Sequence, residues 1–108
     1  MERAYVGIGS NLAEPAAQCR EALRRLASLP KSRLWQVSSL YRSAPVGPLP
    51  QDPFVNAVAG LDTQLPPLYL LGELLALERA MGREPGPRWG PRVVDLDLLL
   101  YGSLVLEG

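Results

Sequence analysis

Histidine is absent from all 108 residues, which removes His-based acid/base catalysis, Ser-His nucleophile pairs and His-ligated zinc. Cysteine occurs once, as Cys19, so no intramolecular disulfide or thiolate cluster is available and a reducing compartment is the simpler expectation. Cys19 itself reads as a small buried helix residue. Lysine also occurs once, as Lys31, and lacks the preceding glycines of a phosphate-cradling Walker A loop. The 11 basic and 11 acidic residues cancel, leaving no basic excess for nucleic acid or an anionic membrane. No apolar run approaches the roughly 20 residues that span a bilayer. Met1-Glu2-Arg3 runs directly into a strand pattern without a signal-type apolar core, and a cytoplasmic location is expected.

What is present fits one small domain, residues 1–108, with no internal repeat or linker. Residues 4–9 alternate as a strand that Gly7, Gly9 and Ser10-Asn11 are expected to end. Gly7-x-Gly9 is a poor dinucleotide fingerprint, because the third glycine position is Leu12; the glycines read as a turn that permits close chain approach. Pro15 suits a first helical turn, and Ala16, Cys19, Leu23 and Leu26 recur at helical spacing opposite Arg20, Arg24 and Arg25, with Pro30 closing the segment. Residues 33–41 read as a second strand, 45–53 as a Pro-rich loop and 54–63 as a third strand. Pro66-Pro67 opens a second helix with Leu70, Leu71, Leu74, Leu77 and Met81 as its apolar face and Gly82 as its C-cap. A Gly/Pro-rich loop over residues 83–91 precedes a final strand. The order strand, helix, strand, strand, helix, strand predicts a ferredoxin-like α+β fold, βαββαβ, with both helices on one face of an antiparallel sheet and the other face free for a ligand.

Two constellations carry chemistry. In residues 88–101, RWGPRVVDLDLLLY, the aliphatic residues Val94, Leu96, Leu98 and Leu100 alternate, so Asp95 and Asp97 share the opposite face. Asp is depleted in strands, so a pair of them asks for a reason. A solvated sheet face paired with arginines is the ordinary one. Magnesium is the alternative, since it takes one or two carboxylates and completes its octahedron with water and phosphate oxygens. Arg88 and Arg92, on either side of the stiff Trp89-Gly90-Pro91 turn, are placed to neutralise phosphate through forked hydrogen bonds. Phe54 and Asn56 share one face of the third strand: a core Phe with a satisfied Asn, or an aromatic plate beside an amide suited to a flat heteroaromatic ligand. Glu78, at the edge of the second helix's apolar face, pairs with Arg79 or Arg83 in the ordinary reading.

These segments, with 4–12 (AYVGIGSNL), 37–45 (VSSLYRSAP), 54–58 (FVNAV) and 77–83 (LERAMGR), are collinear with the signatures of one family. The chain resembles the 6-hydroxymethyl-7,8-dihydropterin pyrophosphokinases of folate biosynthesis. The resemblance implies pyrophosphoryl transfer from ATP to the pterin hydroxymethyl group, giving AMP, with two Mg²⁺ ions on Asp95 and Asp97. It implies that Ser43, Ala44, Pro45, Val46, Phe54, Asn56 and Asp95 bind the pterin. Glu78, Arg88, Trp89, Arg92 and Leu98 fall on the ATP side, and Arg83, Arg92, Asp95 and Asp97 on the catalytic centre. The loops are expected to fold over bound ligands. Relatives continue past the position of Gly108, so a domain without the family's C-terminal segment is expected, and a catalytically impaired pterin-binding or protein-interaction remnant is the alternative. An RNA-binding sheet is disfavoured by the neutral charge and scarce aromatics. Small-molecule partners, pterin and ATP, are expected, with no nucleic acid or membrane.

Overall fold

The structure, a computed structural model, describes residues 1–12, 14–44, 47, 50–82, 93–102 and 104–105. Eight elements follow in order: β1 (Glu2–Ser10), α1 (Pro15–Leu26), β2 (Ser32–Val37), β3 (Tyr41–Ser43), β4 (Phe54–Thr63), α2 (Pro67–Ala80), β5 (Asp95–Tyr101) and β6 (Leu104–Val105). All strand pairs are antiparallel, and the sheet runs β2-β4-β1-β5-β6 with β3 also paired to β4. The fold is therefore α+β.

Both helices lie on the same face. One buried cluster joins Ala4, Val6 and Ile8 of β1, Ala57, Ala59 and Leu61 of β4, and Leu96 and Leu98 of β5 to Cys19, Ala22 and Leu26 of α1 and Leu70, Leu74 and Leu77 of α2. Each fully buried leucine there contributes about 1.5–3 kcal/mol of transfer free energy. As read from sequence, Pro15 and Pro67 occupy the first turns of their helices. Gly82 follows α2 at φ 92°, donating its N–H to the Arg79 carbonyl at 3.0 Å, the backbone conformation that glycine adopts without strain. Among the described residues no helix is long and apolar enough to cross a membrane.

Four expectations change. The single strand expected over 33–41 is two, β2 and β3. Ser38 interrupts it: its N–H donates to the Val58 carbonyl at 2.9 Å, while the Val58 N–H donates to Ser38 Oγ at 2.8 Å, a side-chain oxygen standing where a ladder carbonyl would be. Gly7 and Gly9 do not end β1 but lie inside it. Leu100 does not continue the buried alternation of β5; a register shift leaves Leu99 as an extra residue, so Tyr101 turns inward and donates its hydroxyl to the Leu65 carbonyl at 2.6 Å. On α2 the expected core residue Leu71 is exposed, and Glu78 is buried in its stead. The predicted loops 45–53 and 83–91 fall largely outside the described residues.

Candidate active site

The face of the sheet away from the helices has glycines along its floor. In β1 the side chains of Ala4, Val6, Ile8 and Ser10 point into the core, which leaves Gly7 and Gly9 facing the opposite side, Gly7 half-buried and Gly9 buried. Gly9 pairs with Asn56 on one flank and Asp95 on the other; Gly7 pairs with Val58 and Asp97. With strands about 4.8 Å apart, Asn56 and Asp95 stand roughly 10 Å from each other across the Gly9 floor. The two acids are two residues apart on β5 and thus on the same side, as their spacing predicts. Asp97 is exposed and Asp95 half-buried.

Bulges decide which side chains stand over the glycines, and Gly9 is buried while Gly7 is half-buried. The extra residue Leu99 leans over Gly7, whose Cβ position is 3.4 Å from the Leu99 side chain. The register shift in β2 leaves Trp35 over Gly60, where an added Cβ would meet the indole Nε1 at 2.7 Å. Gly9 is different: its neighbours are Asn56 Oδ1 at 3.3 Å and Phe54 Cδ1 at 3.6 Å from the position of an added Cβ. The floor at Gly9 is thus bordered by an aromatic ring, an amide and a carboxylate.

Ser43 and Phe54 are cross-strand partners, as are Tyr41 and Asn56. Asn56 Nδ2 donates to Ser43 Oγ at 2.8 Å and lies 3.3 Å from the Tyr41 carbonyl. This orients the amide and holds its Oδ1 beside Gly9. Sequence reasoning missed a second anchor. Asn11, only 2% exposed, donates to Gln51 Oε1 at 2.8 Å and to the Asp52 carbonyl at 3.0 Å, tying the approach to β4 onto the end of β1. The available signal was an Asn placed directly after an apolar strand pattern.

Behind β5, Glu78 is not a surface group. It is 2% exposed, and its Oε2 accepts the Leu96 N–H at 2.7 Å, between the two acids in sequence. Leu98 is a core residue, 4% exposed, paired with Val6; what it can offer a ligand is main chain. Ala44 is exposed just after β3. Pro45, Val46, Arg83, Arg88, Trp89 and Arg92 lie outside the described residues.

Cys19 is no nucleophile, since burial pushes its thiol up and its Sγ donates to the Val55 carbonyl at 3.2 Å. At the far end of the open face, Arg3 stacks its guanidinium 3.9 Å from the Trp35 ring centre and reaches Asp62 at 3.1 Å. Arg3, and then Arg33, hold the Asp62 carboxyl below its usual range. Among the described residues no group of three His, Cys, Asp or Glu side chains is gathered for a metal ion. Two oxygen-donor carboxylates on one strand face do fit a hard cation that takes its remaining ligands from water and phosphate.

The family model described as 7,8-dihydro-6-hydroxymethylpterin-pyrophosphokinase (HPPK) matches residues 5–107. The 2-amino-4-hydroxy-6-hydroxymethyldihydropteridine pyrophosphokinase of Pseudomonas aeruginosa is 52% identical over 107 residues, covering 99% of this chain and 66% of the relative. Its namesake in Haemophilus influenzae is 45% identical, over 99% of this chain and 67% of the relative. The one in Pseudomonas putida is 49% identical, over 97% and 87%. The chain thus spans about two thirds of the length of the first two relatives. With motif order, fold and matched length in agreement, the chain belongs to the 7,8-dihydro-6-hydroxymethylpterin-pyrophosphokinase family.

Proposed function

We propose that this chain carries the machinery for pyrophosphoryl transfer from ATP to the hydroxymethyl group of 6-hydroxymethyl-7,8-dihydropterin, giving AMP and the pterin pyrophosphate. The observation that carries the reading is the row Asn56, Gly9, Asp95 across β4, β1 and β5. A flat ring laid on Gly9 meets an amide at one edge, Phe54 beside it, and a carboxylate where its hydroxymethyl arm would end. Ser43 fixes the amide, and the family motif assigns Ala44, Pro45 and Val46 to the pterin as well.

Asp95 and Asp97 are the magnesium ligands of this reading, for two ions. Held there by Asp95 and Asp97, magnesium would supply positive charge that neutralises the phosphates of ATP. The pterin hydroxyl attacks the β-phosphorus, the bond to the α-phosphate oxygen breaks, and AMP leaves. Such transfer depends mainly on alignment and charge neutralisation, so a site without histidine is no obstacle. In this reading Arg83, Arg88 and Arg92 are the cationic donors for the phosphates, and Trp89 belongs to the nucleotide side, as the family motif implies. Leu98 contributes through its main chain, and Glu78 serves the ATP side from behind β5. The strand order with both helices on one face supports a ferredoxin-like topology, and residues 1–108 act as one pyrophosphokinase-like domain. Its partners are the two small molecules.

The test is formation of AMP from ATP, Mg²⁺ and the pterin alcohol, with Asp95→Asn and Asp97→Asn as controls. Pterin-dependent AMP that vanishes in both controls supports the reading. AMP formation indifferent to both aspartates, or no pterin binding by calorimetry, sinks it.

A further inference from the structure

Glu78 is the one charged side chain among the described residues that is fully buried. Burying a carboxylate is costly unless hydrogen bonds replace its water. The α2 register asks for an apolar residue there, following Leu70, Leu74 and Leu77, so packing alone does not explain the acid. One hydrogen bond ties it to the neighbouring strand. Glu78 Oε2 accepts the Leu96 N–H at 2.7 Å. Leu96 lies opposite Ile8 of β1, and an amide that donates to Glu78 is turned to the other edge of β5, where no described strand runs beside residues 95–97. The carboxylate takes the place of a neighbouring strand at that edge.

We propose that Glu78 is a positioning residue: its buried carboxylate grips the Leu96 amide and so fixes the segment of β5 from which Asp95 and Asp97 project. The inference rests on the reading of those aspartates as magnesium ligands. The peptide plane gripped by Glu78 joins Asp95 to Leu96, so rotating it redirects the Asp95 side chain, and Asp97 follows one residue later. Ligand constellations tolerate errors of only about 0.5 Å and 10–20°. Glu78 faces the helix layer while the acids face the open side, so it acts through the strand rather than on the ligand.

Three proteins test this: wild type, Glu78→Met, which keeps length but removes the acceptor, and Glu78→Gln, which keeps an acceptor oxygen and removes the charge. Mn²⁺ serves as the probe, its affinity read by electron paramagnetic resonance with a non-hydrolysable ATP analogue present. Calorimetry gives pterin-alcohol affinity, and hydrogen exchange reports the Leu96 amide. In Glu78→Met, Leu96 exchange is expected to accelerate at least tenfold beyond other core amides and Mn²⁺ affinity to fall at least fivefold, with pterin affinity within twofold. Glu78→Gln should stay within twofold of wild type throughout. Unchanged Mn²⁺ affinity in Glu78→Met overturns the proposal, as do equal losses of Mn²⁺ and pterin, or a Gln variant as impaired as Met. Absence of Mn²⁺ binding in wild type removes the magnesium reading itself, and the inference falls with it.

Discussion

Asn56 does two jobs with one amide. Its nitrogen is committed to Ser43 Oγ at 2.8 Å, which leaves the oxygen held beside Gly9. Truncation removes a partner from any polar edge bound there, and an unsatisfied buried group costs about 1–3 kcal/mol. Asn56→Ala is therefore expected to weaken pterin-alcohol binding tenfold or more in calorimetry while nucleotide affinity moves less than twofold. Ser43→Ala, which frees the amide without removing it, should show a smaller loss of the same kind. Equal losses for pterin and nucleotide would point to a folding defect instead.

At the scale of elements, the faces of strands were legible and their phase breaks were not. Alternation in residues 94–98 placed Asp95 and Asp97 together on the face opposite the core, and β5 confirms that arrangement. Helical spacing and prolines located α1 and α2. The bulges at Trp35 and Leu99 arise from pairing with β4 and β1, partners distant in sequence, so local patterning had no means of reporting them. The burial of Glu78 is hidden from sequence for a related reason: a charge at the margin of an apolar helix face normally points to water, and only the strand packed against it reveals an amide to be satisfied. The same logic makes Gly60 of β4 sensitive. A Cβ there would lie 2.7 Å from Trp35 Nε1, an atom with no hydrogen-bond partner among the described residues, so Gly60→Ala must displace the indole. Overpacking of this sort costs about 1–3 kcal/mol, to be read as a lower denaturant midpoint. Trp35→Ala in the same background should recover part of that loss. α1 offers a pH test. Hydrogen bonds from Arg24 and Arg25 lower the Glu21 carboxyl to about 2 from an ordinary 4.5. A lowered folded-state pKa means that this contribution is complete above about 4.5 and disappears as pH falls toward about 2. Glu21→Gln should therefore flatten the melting-temperature profile across that window, weakly, because the group is exposed and salt screens it. A Gln variant with an unchanged acid limb would show that the arginine contacts contribute nothing in solution.

Across the whole molecule the sheet divides the labour that the proposed reaction requires. β3 and β4 hold the aromatic and amide groups, β5 holds the acids, and between them β1 presents the bare backbone of Gly7 and Gly9. The two halves touch different parts of the substrates, so they should fail separately. Asp97 is exposed on β5, so Asp97→Ala leaves no core cavity, and the unliganded variant is expected to keep cooperative unfolding with a stability within about 1 kcal/mol of wild type. Ligands that bind only the folded state stabilise it by about 2.7 kcal/mol at a hundredfold excess over Kd. Hence the rise in melting temperature given by the pterin alcohol should persist in Asp97→Ala, while the rise given by Mg²⁺ with a non-hydrolysable ATP analogue should largely vanish and AMP formation fall at least about 100-fold. Because Asn56 and Asp97 lie on strands separated by β1, their effects on unliganded stability should add to within about 0.5 kcal/mol in the double variant. Loss of cooperative unfolding in Asp97→Ala would make Asp97 a structural residue, and a retained magnesium-dependent shift would take the metal off β5.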